Sequence, residues 1–247
     1  MMNNYKYPSL NGAIAVSAKP ECLYILQDMA PYDLHGLMRS LQLRNETGLS
    51  TFQIRNILYR VAKGISYLHS KGLVHGDIKC SNILYFSDSD IRITDFNLTT
   101  LKKWKSNIHL CTAIYRPYEI WASKDWTEKI DIWSYGCMMF ELFYEKLLFP
   151  FQGKFDDKRT IKHRYINAIA DWSNFNKSNK LKISKYNISY KKPNIPSDLC
   201  EYSSGEKPFD YNKNNYINLM LKCLQVLDRD RPHIDTILGD SYFIEMR

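Results

Sequence analysis

Ile54, Leu58, Val61, Ile65 and Leu68 recur at alternating steps of four and three, the spacing that puts side chains on one face of a helix. Ser50-Thr51-Phe52-Gln53 ahead of them has the form of a capping box, and Gly72 behind them permits the left-handed turn that stops a helix. The pattern therefore predicts a core-facing helix that delivers the chain into His75. From Ile132 to Phe143 the apolar residues cover nearly the whole circumference, as in a helix surrounded by protein. Ile83-Leu84-Tyr85-Phe86 and Ile91-Arg92-Ile93 flank a Ser-Asp-Ser-Asp turn, which predicts a short hairpin. Leu23 to Ala30 predicts a buried strand running into a linker.

Composition narrows the class. A chain of 247 residues with 45% hydrophobic content can bury a sizeable core, and no stretch has the character of an interdomain linker, so one domain over 1–247 is expected. The cysteines at 22, 80, 111, 137, 200 and 223 contain no C-x-x-C pair, which gives neither a zinc site nor a clear disulfide framework. An intracellular, cytoplasmic location is expected, with the nucleus also open. The N-terminus lacks a signal-peptide apolar core, and Glu141 and Glu145 interrupt the apolar stretch at 138–149, so no membrane span is expected. Six lysines and no acid between Trp172 and Ser197 account for most of the net charge of +8. That stretch predicts a solvated loop. No aromatic-interleaved basic motif accompanies it, which ranks nucleic acid last among partners.

The chemistry-bearing residues cluster around the predicted hairpin. His75-Gly76-Asp77-Ile78-Lys79-Cys80-Ser81-Asn82 precedes it, and Asp95-Phe96-Asn97 follows. Phosphoryl transfer needs a carboxylate to orient and deprotonate a hydroxyl, and an amide and a second carboxylate to hold magnesium. This arrangement resembles the catalytic loop and metal-binding turn of eukaryotic protein kinases, H-R-D-x-K-x-x-N followed by D-F-G. Thr112 to Glu119 is similar to the family's T-x-x-Y-R-A-P-E docking loop with the proline displaced by one position. Asp131-Ile132-Trp133-Ser134-Tyr135-Gly136-Cys137 is similar to the start of its central helix.

The resemblance implies an α+β, protein-kinase-like fold with a mainly α-helical large lobe (31–247) and a truncated β small lobe with hinge (1–30). It implies ATP and Mg2+ as cofactors. Asp77 and Lys79 become the catalytic residues, the lysine pointing to Ser/Thr acceptors, and Asn82 and Asp95 the metal ligands. The backbone of Asp28 and Ala30 would bond adenine after a gatekeeper Gln27, Asp33 would approach the ribose, and Leu84 would floor the base. Thr112 would bond the catalytic aspartate, Asp131 would bond catalytic-loop amides, and Arg231 would pair with Glu119.

Other family features have no counterpart here. The chain carries no G-x-G-x-x-G and no V-A-I-K lysine. Lys19 is rejected for that role because fewer than ten residues separate it from Asp28, too few for the intervening helix. Gly76 replaces an arginine that in many kinases receives a phosphate, and Asn97 replaces a glycine valued for positive φ, which asparagine tolerates. The expected function is a serine/threonine kinase acting on a protein substrate, with a partner kinase or activator possible. The alternative is a catalytically impaired pseudokinase that serves as a binding module or decoy.

Overall fold

The structure, a computed structural model, describes residues 7–102, 110–153, 157–176, 185–199 and 211–246. It opens with an antiparallel hairpin, β1 (Ala15–Lys19) and β2 (Cys22–Leu26). A short β3 (Tyr32–Asp33) leads into α1 (Leu34–Leu43), and α2 (Thr51–Ser70) follows. After β4 (Leu73–Val74) come β5 (Ile83–Ser87), β6 (Asp90–Ile93) and β7 (Thr100–Leu101). The remainder is helical: α3 (Tyr118–Trp121), α4 (Lys129–Tyr144), α5 (Lys158–Phe175), α6 (Tyr211–Cys223) and α7 (Ile234–Leu238). Strands β3, β5 and β6 form one antiparallel sheet, and β4 pairs with β7.

Local chemistry accounts for the elements that frame the site. In α2 the Ser50 side chain accepts from the Gln53 amide while the Gln53 side chain accepts from the Ser50 amide, closing the box. The helix ends before Gly72, whose φ of 72° is left-handed. Helix α4 is buried without a break from Ile130 to Leu142, as its all-round apolar pattern requires. Its Tyr135 hydroxyl donates to the Leu58 carbonyl at 3.0 Å, fastening α4 to α2. The hairpin β5–β6 reverses at 87–90 as its polar turn implies.

One expectation is corrected. The strand before the hinge is present, but all five residues of β2 are exposed, as are all five of β1. An alternating or continuous apolar run specifies a strand, whereas burial needs a facing layer, and none covers this hairpin among the described residues. The lysine-rich stretch holds no helix or strand over residues 185–196, as its composition suggests. Trp172 to Phe175 completes α5, and Tyr186 is seated on it by exchanging hydrogen bonds of 2.8 and 2.9 Å with Asn167 and stacking on His163. Residues 177–184 lie outside the described residues, as does Cys200. The other five cysteines are unpaired. Among the described residues no helix is long and apolar enough to cross a membrane.

Candidate active site

The turn between β4 and β5 is held from below by α4. Asp131, fully buried, accepts from the His75 amide on one oxygen and the Gly76 amide on the other, both at 2.9 Å, and His69 Nε2 lies 2.9 Å from it. Burial opposes its charge, but the His69 hydrogen bond, the nearby imidazoles and the Gly76 amide outweigh this and hold its pKa below the ordinary value. A depressed carboxylate stabilises the fold above its unfolded pKa, and that stability is lost as pH falls through the lower folded value. His75 is pushed the other way by burial, toward the neutral form. Its Nδ1 accepts from the Asp77 amide at 3.2 Å while Nε2 faces the Thr94 carbonyl at 3.1 Å, which assigns the ring proton to Nε2.

Gly76 is more than a lost arginine. Its φ is +78°, and a Cβ there would sit 3.0 Å from both Leu98 O and Leu110 Cδ2. Gly76→Ala is therefore expected to lower unfolding stability by about 1–3 kcal/mol, read from the urea midpoint. An unchanged midpoint would contradict that strain.

Asp77 carries the densest set of contacts. Oδ1 accepts from the Thr112 amide at 2.9 Å and its hydroxyl at 2.7 Å; Oδ2 accepts from Lys79 Nζ at 2.7 Å and Asn82 Nδ2 at 3.1 Å. Burial works against its ionisation, yet the hydrogen bonds from Lys79 and Thr112 prevail and keep its pKa below the ordinary range. Lys79 also donates to Thr112 Oγ1 at 2.9 Å, so the segment around Thr112 is tied to the 75–82 loop through one triangle. A carboxylate offers about four lone-pair positions, and all are taken.

Asn82 spends its amide hydrogens on Asp77, which directs its carbonyl oxygen elsewhere. The Thr94 amide donates to the main-chain carbonyl of Asn82 at 2.9 Å, joining the loop to the segment that carries Asp95. Asp95 is half-buried, and its carboxylate accepts from the Asn97 amide at 3.4 Å. An amide oxygen and a carboxylate that, among the described residues, accepts only the long Asn97 amide bond are hard donors that suit Mg2+, which keeps several waters and takes one or two carboxylates. One sequence expectation is relocated here: the left-handed residue is Asp95, at φ 62°, whereas Asn97 sits inside the following short 3-10 turn and donates its amide to Asp95.

The expected nucleotide contacts lie along the strand edge above this loop. Asp33 faces Leu84 across β3–β5, and Asp33 caps α1 by accepting from the Gly36 amide at 2.8 Å. The Asp28 carbonyl accepts from Asn11 Nδ2 at 3.2 Å, and Gln27 Nε2 donates to the Asn11 carbonyl at 2.6 Å. Ala30 is half-buried at the end of this segment. Asn11 and His69 were not singled out by the sequence reading; no local pattern marks either one. Lys19 ends β1 over the Tyr24 ring, remote in role from a phosphate ligand.

On the other side of Lys79 and Thr112 a cleft of about 580 Å³ opens, lined also by His35, Met38, Ile114 and Glu141. Behind it, Arg231 and Glu119 form a two-pronged buried ion pair at 2.7 and 2.9 Å.

An aspartate held between a lysine and a docking-loop threonine, above a buried helix that pins the loop, defines the large lobe of a protein kinase. The protein kinase domain model matches residues 1–243, and the chain belongs to that family. Putative mitogen-activated protein kinase 14C of Drosophila melanogaster is 35% identical over 128 residues, covering 51% of this chain and 34% of the relative. Mitogen-activated protein kinase 5 of Arabidopsis thaliana is 36% identical over 131 residues, 52% of this chain and 34% of the relative. Probable cyclin-dependent kinase 8 of Dictyostelium discoideum is 34% identical over 151 residues, 57% and 40% respectively. The matches thus span about a third to two fifths of these relatives' length.

Proposed function

We propose that the chain transfers the γ-phosphate of ATP to serine or threonine hydroxyls of a protein substrate. The observation that carries this reading is the Asp77 cluster, in which Lys79, Asn82 and Thr112 converge on one carboxylate. Asp77 orients the acceptor hydroxyl and takes its proton. Because its four acceptor positions are filled, a hydroxyl enters only when one donor leaves, and Lys79, its side chain 20% exposed, is the one free to turn away. It then faces the charge on the transferred group. Thr112 keeps its hold on the other oxygen, so the carboxylate does not rotate. Asn82 and Asp95 would hold magnesium, which supplies charge neutralisation at the phosphates. A substrate segment would lie in the cleft beside Lys79 and Thr112.

Support for nucleotide is one-sided within this chain. Asp28, Ala30, Asp33 and Leu84 supply the hinge and floor, while no glycine loop or paired lysine covers the phosphates, which stay open to water and so interact more weakly with protein charges. Weak, magnesium-dependent ATP binding follows. It is expected as a small rise in melting temperature that grows only when nucleotide greatly exceeds Kd. Sub-micromolar affinity would contradict the open phosphate site. A folded sample showing no shift at millimolar Mg-ATP would favour the second reading, a kinase-like binding module. That reading draws on the hairpin β1–β2, which exposes Val16 on one strand and Leu23, Ile25 and Leu26 on the other.

A further inference from the structure

We infer that Asn11 and Arg92 clasp the hinge onto β6, and that they are positioning residues for the base edge of the nucleotide site; this rests on the nucleotide reading above. Three bonds converge around Asp28. Its carbonyl accepts from Asn11 Nδ2 at 3.2 Å, and its carboxylate accepts from Arg92 Nη1 at 2.6 Å. Its neighbour Gln27 donates to the Asn11 carbonyl at 2.6 Å.

Both clasping residues are themselves anchored in the large lobe. The Asn11 amide donates to the Ile93 carbonyl at 2.8 Å, and the Ile93 amide donates back to Ser9 at 2.8 Å. Asn11 is only 2% exposed. Arg92 grips Asp90 with two further bonds of 2.7 Å, and its guanidinium lies 4.5 Å from the centre of the Phe86 ring. The strand before this point is exposed along its whole length, so the hinge takes no rigidity from it. A segment with few buried contacts on one side opens readily; here the restraint comes from the β6 side instead.

The clasp also bears on what the hinge offers a ligand. A carbonyl has two lone pairs, and Asn11 occupies one at Asp28, leaving one for an N–H on the edge of a base. The same bond fixes the direction in which that lone pair points. Preorganising an acceptor in this way raises affinity by removing an ordering cost from binding.

The test uses the full chain with Asn11→Ala, Arg92→Ala and Arg92→Lys. Adenosine and magnesium tripolyphosphate are titrated separately by calorimetry, and hydrogen exchange is followed at amides 28–30. Adenosine affinity is expected to fall about 10-fold in both alanine variants, an ordering cost shifted from the fold to the ligand. Arg92→Lys, which keeps a cation for Asp28, should recover part of it. Tripolyphosphate affinity should stay unchanged, and exchange at 28–30 should quicken in the alanine variants. Unchanged adenosine affinity and exchange would overturn the clasp while the nucleotide reading stands. Equal losses for adenosine and tripolyphosphate would overturn positioning in favour of a general structural role. A wild-type chain that binds neither ligand would remove the nucleotide reading and the positioning role together, a failure recognisable because the wild type itself is silent.

Discussion

Asp77→Asn is expected to lower magnesium-dependent phosphate transfer to a Ser/Thr peptide by about 10²–10⁴-fold, the range a positioned general base contributes. The substitution is nearly isosteric, yet it replaces an oxygen that accepts from two donors by an amide that accepts from none. Either the Lys79–Asn82 side or the Thr112 side must then lose its acceptor. The loop should nevertheless stay in place, because Asp131 holds its backbone from α4 through His75 and Gly76. Loss of transfer in a variant that still melts cooperatively, with at most a modest drop in melting temperature from the stranded donors, is the predicted signature. Equal phosphate incorporation by wild type and variant would sink the assignment. The pH profile gives a second check. On the proposed reading the ionised form acts as base, and against the opposing effect of burial the hydrogen bonds from Lys79 and Thr112 hold its pKa below the ordinary value, so ionisation of Asp77 should not limit the rate in the neutral range. A rate that falls as pH drops from 7 to 5 would have to come from another group.

Arg231→Ala should produce the largest loss of stability. The guanidinium is fully buried, bonds both oxygens of Glu119, and also donates to the carbonyls of Gln225, Val226 and Lys129 at 2.7, 2.8 and 3.0 Å. Truncation strands a carboxylate that is only 7% exposed. Breaking such a pair costs about 3–5 kcal/mol, which for a chain of this size lowers the melting temperature by roughly 10 °C. Arg231→Lys should rescue little, since an ammonium cannot reproduce the planar fork that spans both oxygens and three carbonyls. Circular dichroism melts of the three proteins decide it. A shift of less than a couple of degrees in Arg231→Ala would show that the pair is not an anchor. Replacing both Arg231 and Glu119 should cost less than the sum of the single changes, because no unpaired charge is then left behind.

Much of this frame was legible before folding. The capping box at Ser50 and the glycine at 72 bound α2, and the all-round apolar run marked α4 as central, because those signals are local: each depends on residues within one or two turns. The loop motif brought Asp77, Lys79 and Asn82 together for the same reason, since all three lie within six residues. The exposed state of β1–β2 was not legible. Apolar strand residues declare what they would bury, and only the presence or absence of a facing layer settles whether they do. The seating of Tyr186 on α5 was likewise hidden, because it depends on Asn167 finding partners nineteen positions away.

The sequence by itself determined the elements that rest on short-range periodicity and the candidates for the groups that would do chemistry. Three long-range pairings were legible only through the resemblance to kinases and not through spacing, and the tertiary structure forms each of them. Thr112 reaches Asp77 across 35 positions, Asp131 reaches Gly76 across 55, and Arg231 reaches Glu119 across 112. It also moved the left-handed residue from 97 to 95, and it placed Asn11 and Arg92 on either side of Asp28. The physical reason is common to all of these. A buried polar group is stable only when its partner arrives from elsewhere in the chain, and no pattern of neighbours along the sequence records which partner that is.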